Sequence, residues 1–140
     1  MPTVRLTKRV QFPAAHRLHN PALSDEENAR LYGKCANPGG HGHNYALEVT
    51  VEGETDPRTG MVVNFAQLSE AIRAEVLERF DHRNLNTEVE PMRGQVPTAE
   101  NIAVAIWGLL EKRVAPARLV EVRVAETDTS IAAYRGQGDR

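Results

Sequence analysis

The sequence predicts an α+β fold in which a four-stranded antiparallel sheet carries two helices on one face. Four segments alternate apolar and polar residues, which is typical of strands with one buried face. Between the second and third of these, two segments carry apolar residues at helical spacing. With 140 residues and 41% hydrophobic content, the chain suits one domain, residues 1–140, with a substantial core.

The first two strands are predicted at residues 4–12 and 45–51, where apolar side chains recur at every second position. Pro13 is expected to end the regular pairing of the first strand, because proline has no N–H to donate. The polar stretch at residues 19–34 is typical of a long loop with a helical turn. The glycine-rich stretch at residues 35–43 predicts irregular backbone.

The second half of the chain supplies the helices and the remaining strands. After a turn at residues 56–60, residues 61–63 are expected to extend the sheet briefly. One helix is predicted to follow Asn64, a good N-cap, and another to run from about Thr98 to before Pro116. The last two strands are predicted at residues 119–124 and 131–134.

The order strand, strand, helix, helix, strand, strand favours antiparallel pairing, with both amphipathic helices on one face of the sheet. A sheet of this size exposes its edges, and association with neighbouring subunits could pair them. An oligomer is therefore expected.

Composition and charge exclude several classes of function. The net charge is −2 with acidic and basic residues interspersed, so neither a nucleic-acid partner nor a membrane surface is expected. No apolar run is long enough to span a bilayer, and the first residues lack the pattern of a signal peptide. Cys35 is the only cysteine. We therefore expect a soluble cytoplasmic protein whose thiol stays reduced.

The strongest local signal for chemistry is the segment His41-Gly42-His43. In extended backbone, residues two apart point to the same face, so both imidazoles can converge on one ion. His16 can join them if the first two strands are neighbours. Three histidines with one open position are typical of a catalytic zinc site. The alternative is a polar loop at residues 41–43 and an ordinary surface histidine at position 16.

Cys35 lies six residues before His41 and has two functional interpretations. It could be a fourth zinc ligand, or its thiolate could act as a nucleophile or base near the cation. Asp81 and His82 form an adjacent pair, in which the aspartate can orient the histidine for proton transfer. An adjacent Asp-His pair is also common at an ordinary polar helix end.

Glu126 continues the even-numbered series of valines at positions 120, 122 and 124. Alternation therefore aims its carboxylate toward the buried face, where an ionised group is costly without a partner. A flat heterocycle with an N–H beside an amino group could bind both oxygens. Equally, the strand could end or bulge before Glu126.

Nearly the whole chain resembles the 6-pyruvoyltetrahydropterin synthase family, in order and at closely matching spacing. The segments that carry the resemblance are residues 16–18 (HRL), 23–28 (LSDEEN), 33–35 (GKC), 37–38 (NP), 40–45 (GHGHNY), 56–62 (DPRTGMV), 81–85 (DHRNL), 98–104 (TAENIAV), 106–107 (IW) and 126–128 (ETD).

The resemblance implies the tunnelling fold, in which subunits join their sheets into a barrel, typically as a hexamer of two stacked trimers. It also implies roles for individual residues. These are zinc ligation by His16, His41 and His43, base catalysis by Cys35, a proton relay by Asp81 and His82, pterin anchoring by Glu126, and substrate binding by Thr98 and Glu100.

The reaction implied is conversion of 7,8-dihydroneopterin triphosphate to 6-pyruvoyltetrahydropterin, with loss of triphosphate. One Zn²⁺ per subunit is expected, and Mg²⁺ is expected with the substrate triphosphate. No nicotinamide or flavin is expected, since the chain lacks a Gly-x-Gly-x-x-Gly turn. Two alternatives stay open: a 6-carboxytetrahydropterin synthase that releases acetaldehyde on the way to queuosine, and a non-catalytic zinc-stabilised pterin-binding module with Cys35 as fourth ligand.

Overall fold

A computed structural model of the chain describes residues 2–137, so residues 1 and 138–140 of the predicted domain lie outside the described residues. The two long strands, β1 (Thr3–His16) and β2 (His41–Glu54), pair antiparallel along their whole length. Both are longer than predicted. As a result, all three candidate metal ligands lie within strands and not in the loops beyond them.

The prediction that Pro13 ends the pairing of β1 is wrong, because β1 continues to His16. The carbonyl of Pro13 accepts a hydrogen bond of 2.7 Å from the N–H of His82, on the side of β1 that faces away from β2. The nitrogen of Pro13 faces that same side, so its missing N–H leaves the ladder to β2 intact.

The predicted four-stranded antiparallel sheet is corrected to a five-stranded mixed sheet with the order β3-β1-β2-β4-β5. Strands β4 (Arg118–Thr127) and β5 (Ser130–Tyr134) pair antiparallel, as expected. The additional strand, β3 (Arg83–Asn84), runs parallel to β1. Two residues are too few to show alternation, which explains why the sequence pattern did not predict this strand.

The helices differ from the prediction in two places, the loop at residues 19–34 and the middle of the helix that follows Asn64. A helix, α1 (Asp25–Tyr32), lies within the predicted loop and begins with a capping box formed by Ser24 and Glu27. The helix after Asn64 comprises α2 (Phe65–Ile72), a π-helical turn at Arg73–Leu77 and a last turn, α3 (Glu78–Phe80). The predicted final helix is α4 (Ala99–Leu110), capped by Thr98. Residues 61–63 form a bend, so the predicted extension of the sheet is wrong there.

The core lies between the sheet and the helices. Helix α4 packs on β4 and β5, while α2 and α3 pack on β1. A bulge between Thr50 and Val51 shifts the register of β4, so that Leu119 joins the main core in the place expected for Val120. Within residues 2–137, no helix is long and apolar enough to cross a membrane.

Candidate metal centre and active site

The pairing of β1 with β2 brings the three predicted histidines together. His16 lies directly opposite His41, and His43 lies opposite Ala14. Paired residues share a face, as do residues two apart on one strand, so all three rings lie on the core face of the sheet. One potential ligand atom from each ring lies within 4.8 Å of the other two.

His16 has a defined tautomer. It is 1% exposed, and its Nδ1 lies 2.8 Å from the carbonyl oxygen of Pro97. A carbonyl only accepts, so Nδ1 of His16 carries a proton and Nε2 presents a lone pair. Nε2 of His41 lies 3.0 Å from Nε2 of His16, so in the metal-free chain His41 donates to this lone pair. Nε2 of His16 therefore faces the other two rings as an available ligand.

Burial favours the neutral form of His16 and His43. The pKa values of His16 and His43 are both lowered, chiefly by desolvation, although the nearby Glu126 carboxylate opposes this. Among residues 2–137, the buried Nε2 of His43 has no hydrogen-bond partner. Neutral imidazoles with bare nitrogens are the form that binds a metal, and a buried polar atom without a partner is costly unless a ligand satisfies it.

The spacing of these nitrogens fits zinc. Tetrahedral Zn–N bonds of about 2.0–2.1 Å place neighbouring ligand nitrogens roughly 3.3 Å apart. The nitrogens of His16 and His41 are 3.0 Å apart, and the whole set lies within 4.8 Å. Small ring movements therefore suffice to hold such an ion, and three protein ligands would leave one position for substrate.

Cys35 lies on a 3₁₀ turn, Gly33–Ala36, that is docked against the end of β1. The N–H of Leu18 donates to the carbonyl of Cys35 at 2.8 Å, and Nε of Arg17 donates to the carbonyl of Ala36, also at 2.8 Å. The half-buried sulfur of Cys35 does not belong to the set of ligand atoms formed by the three histidines. This placement favours a thiol beside the metal centre over a fourth ligand.

Glu126 reaches the histidine cluster. Its Oε1 lies 3.6 Å from Nε2 of His16, and its Oε2 lies 4.0 Å from Nε2 of His43. The strand does bulge between Ala125 and Thr127, yet the carboxylate still faces inward. Both interpretations of this segment were therefore partly right, since the bulge and the inward carboxylate coexist.

A cavity of about 760 Å³ adjoins the cluster, and Glu126, Thr98 and Glu100 all line it. Thr98 and Glu100 belong to the first turn of α4. The structure therefore places the three residues predicted to bind substrate around one opening.

Asp81 and His82 directly precede β3, which pairs with Ala14 and Ala15 near the same end of β1 as His16. Oδ1 of Asp81 is 3.1 Å from Nδ1 of His82, which has a positive φ of 60° and a side chain 77% exposed. His82 and His43 line one cleft of about 490 Å³. Within residues 2–137, no hydrogen bond or ion pair joins the Asp81–His82 pair to Cys35. Asp81 and His82 are therefore in contact with each other, with no direct bond to Cys35 among the described residues.

Sequence reasoning missed two residues of the site, Pro97 and Tyr45. Both lie within hydrogen-bonding distance of Nδ1 of His16. The alternation of residues 45–51 predicts only that Tyr45 lies on the buried face of a strand. Its position two residues after His43 was an available signal, since it shares the face of that ligand.

Gly40 supports the geometry of the cluster. Its φ is +72°, and a Cβ there would lie 3.0 Å from the carbonyl oxygen of His16. We expect Gly40→Ala to weaken zinc binding and to lower stability by about 1–2 kcal/mol, because it combines left-handed backbone strain with this contact. Chelator competition and thermal unfolding measure the two effects.

Gly60→Ala is the matched control, because Gly60 has a φ of +75° but open space around it. It should lose stability through backbone strain alone and keep its zinc affinity. Equal zinc affinity in Gly40→Ala and Gly60→Ala would show that the contact with His16 has no effect on the metal centre.

A family model described as "6-pyruvoyl tetrahydropterin synthase" matches residues 5–137. The chain is 47% identical over 133 residues to the human 6-pyruvoyl tetrahydrobiopterin synthase, covering 95% of this chain and 92% of that protein. It is 37% identical over 95 residues to a putative 6-carboxy-5,6,7,8-tetrahydropterin synthase of Archaeoglobus fulgidus, covering 68% of this chain and 75% of that protein.

The structure of the 6-pyruvoyl tetrahydropterin synthase of Caenorhabditis elegans superposes on this chain with a TM-score of 0.93. The two are 42% identical, and the superposition covers 98% of each chain. The likeness therefore extends over the site as well as the sheet and helices.

Proposed function

Because the chain belongs to the 6-pyruvoyl tetrahydropterin synthase family of lyases, we propose that it is a zinc-dependent enzyme that converts 7,8-dihydroneopterin triphosphate to 6-pyruvoyltetrahydropterin and releases triphosphate. The observation that carries the proposal is the convergence of three imidazoles on one point. A cavity lined by carboxylates adjoins that point.

His16, His41 and His43 would hold one zinc ion per subunit. When bound, zinc acts as a Lewis acid on the hydroxyl oxygens of the substrate side chain and makes the adjacent C–H more acidic. Three protein ligands would leave a coordination position for substrate, and Glu126, which lies 3.6 Å from Nε2 of His16, also lines the adjoining cavity.

The pterin ring would lie in this cavity. Glu126 has a side chain 24% exposed, so its oxygens are partly desolvated and favour a partner with two adjacent donors. Thr98 and Glu100 line the same opening and supply further polar contacts. We expect Glu126 to anchor the ring and thereby direct the side chain toward the histidines.

Cys35 would be the base. Its thiolate takes a proton from the acidified side-chain carbon next to the ring, and the electron pair of that C–H bond moves into the ring, which takes up a proton. Loss of a proton from the next side-chain carbon then supplies the electron pair that expels triphosphate. The Asp81–His82 pair supplies or removes the second proton. Reducing equivalents pass from side chain to ring, so no hydride donor is needed. We place this chemistry in the cytoplasm, where the thiol stays reduced.

Assembly would complete the relay. The imidazole of His82 is 77% exposed, and among residues 2–137 neither Asp81 nor His82 makes a hydrogen bond or ion pair to Cys35. Both observations support delivery of the Asp81–His82 pair from a neighbouring subunit. We propose a homohexamer of two stacked trimers, in which sheets pair edge to edge and sites lie between subunits. Mg²⁺ would accompany the substrate triphosphate.

A second product is also compatible with these residues. The likeness to the Archaeoglobus protein favours a 6-carboxytetrahydropterin synthase as the alternative function, acting on the same substrate. Five residues separate Cys35 from His41. This spacing resembles that of the 6-pyruvoyl-forming enzymes, because the 6-carboxy-forming enzymes generally have a shorter segment between the cysteine and the His-Gly-His motif.

The products decide between them. Incubation of the zinc-loaded protein with dihydroneopterin triphosphate and Mg²⁺ is expected to release one triphosphate per substrate and to form the 6-pyruvoyl compound. Chromatography of the pterins and an acetaldehyde assay measure the outcome, with chelator-treated protein as the control. Stoichiometric acetaldehyde would replace the first function by the alternative.

A further inference from the structure

The hydroxyl of Tyr45 lies behind the metal-binding face of His16. Tyr45 follows His43 by two residues on β2 and is 0% exposed. Its ring stacks on Phe12 with a centroid distance of 5.4 Å and an interplanar angle of 17°, and it meets the ring of His43 at 5.6 Å. These ring contacts fix the direction of the hydroxyl, which lies 3.1 Å from Nδ1 of His16.

Two oxygens therefore converge on one nitrogen. The carbonyl of Pro97 lies 2.8 Å from Nδ1 of His16 and the hydroxyl oxygen of Tyr45 lies 3.1 Å from it. Because the carbonyl requires Nδ1 to donate, the Tyr45 oxygen accepts a share of the same proton. Two acceptors in different directions restrict rotation of the imidazole, and they raise the electron density at the opposite nitrogen.

We propose that Tyr45 is a positioning residue of the metal centre, whose hydroxyl acts with the Pro97 carbonyl to hold Nε2 of His16 toward the ion. The inference rests on the proposed zinc site and extends it by one residue. Pro97 directly precedes Thr98, whose side chain accepts a hydrogen bond from the N–H of Asn101 and begins α4. The same arrangement thus ties a metal ligand to the helix that lines the cavity.

Tyr45→Phe tests the role of the hydroxyl, since it keeps the ring packing and removes one oxygen. The zinc dissociation constant, measured on the full chain by chelator competition, is expected to rise about 10–100-fold, the range typical of outer-shell partners. The visible spectrum of the Co²⁺-loaded protein is expected to shift, because the ligand field of His16 changes. The melting temperature of the metal-free variant checks folding.

Tyr134→Phe is the matched control. Tyr134 lies on β5 and packs against Trp107 of α4, with ring centroids 5.4 Å apart. Its replacement by phenylalanine should leave zinc affinity and the Co²⁺ spectrum unchanged. A folded Tyr45→Phe protein with the zinc affinity and Co²⁺ spectrum of the unmodified chain would overturn the inference alone. An unmodified chain that binds neither zinc nor Co²⁺ would overturn the proposed function as well.

A measurement on the unmodified chain covers the case in which Tyr45→Phe does not fold. Long-range ¹H–¹⁵N spectra of the metal-free protein with labelled histidine report the tautomer of each ring. His16 is expected to carry its proton on Nδ1. The reverse tautomer would leave Nδ1 nothing to donate to Tyr45, and the inference would fall.

Discussion

Replacement of Cys35 by alanine is expected to abolish turnover and leave zinc in place. Cys35 lies on the turn docked against the end of β1, near His16, and its sulfur is absent from the set of ligand atoms, so its loss should remove a base and no ligand. Loss of a positioned base costs about 10²–10⁴-fold in rate. Triphosphate release under saturating substrate measures turnover, and metal analysis of the same preparation measures zinc.

Cys35→Ser is the matched variant, because it keeps size and polarity but is a far weaker acid. It should keep zinc and show a similarly large loss of turnover. Since Cys35 is the only cysteine, alkylation of the unmodified enzyme modifies this thiol alone and should reproduce the result. A metal-free Cys35→Ala protein would instead identify the sulfur as a ligand and favour the non-catalytic zinc module.

Replacement of His41 by alanine is expected to lose both zinc and turnover. His41 is half-buried whereas His16 is fully buried, so this substitution removes a ligand with less damage to the core. Two imidazoles remain. Loss of an outer-shell partner lowers metal affinity by up to about 100-fold, and we expect loss of a ligand to lower zinc affinity by more than that. Chelator competition and triphosphate release measure the two effects.

His19→Ala is the control for removal of an imidazole. His19 lines a different cavity, with Arg17 and Gln95, and lies outside the histidine cluster. The His19→Ala protein should bind zinc as tightly as the unmodified chain. If His41→Ala bound zinc as tightly as His19→Ala, the assignment of His41 as a ligand would be wrong.

The parts of the fold that the sequence predicted are those with a clear period. The long strands and the helix stripes were found, because burial of one face imposes alternation or helical spacing over many residues. The two-residue strand β3 has too little length to show any period. The end of β1 was misplaced because a sequence does not show which side of the strand the nitrogen of Pro13 faces.

Helix α1 is longer than the helical turn predicted in that segment, and the sequence carries a signal for it. Ser24 and Glu27 have the spacing of a capping box, and both of its hydrogen bonds form at the start of α1. The acidic, polar composition of the segment obscured it, since only one of its residues, Asn28, is buried. Helix α1 therefore shows no apolar stripe.

The site, like the fold, has parts that a sequence period predicts and parts that it does not. Period-two geometry alone placed His41 and His43 together, and the register of two neighbouring strands added His16. The contribution of Pro97 could not be predicted, because it lies 81 residues from His16 and acts through a backbone carbonyl that any residue could supply. The roles of Cys35, Asp81 and His82 rest on the family resemblance, and their substrate contacts remain predictions.

X-ray absorption at the zinc edge of the loaded protein tests the central claim most directly, because it counts and identifies the ligands. The account predicts three imidazole nitrogens and one further light atom at about 2.0–2.1 Å. A sulfur at about 2.3 Å, or fewer than three imidazoles, would contradict it.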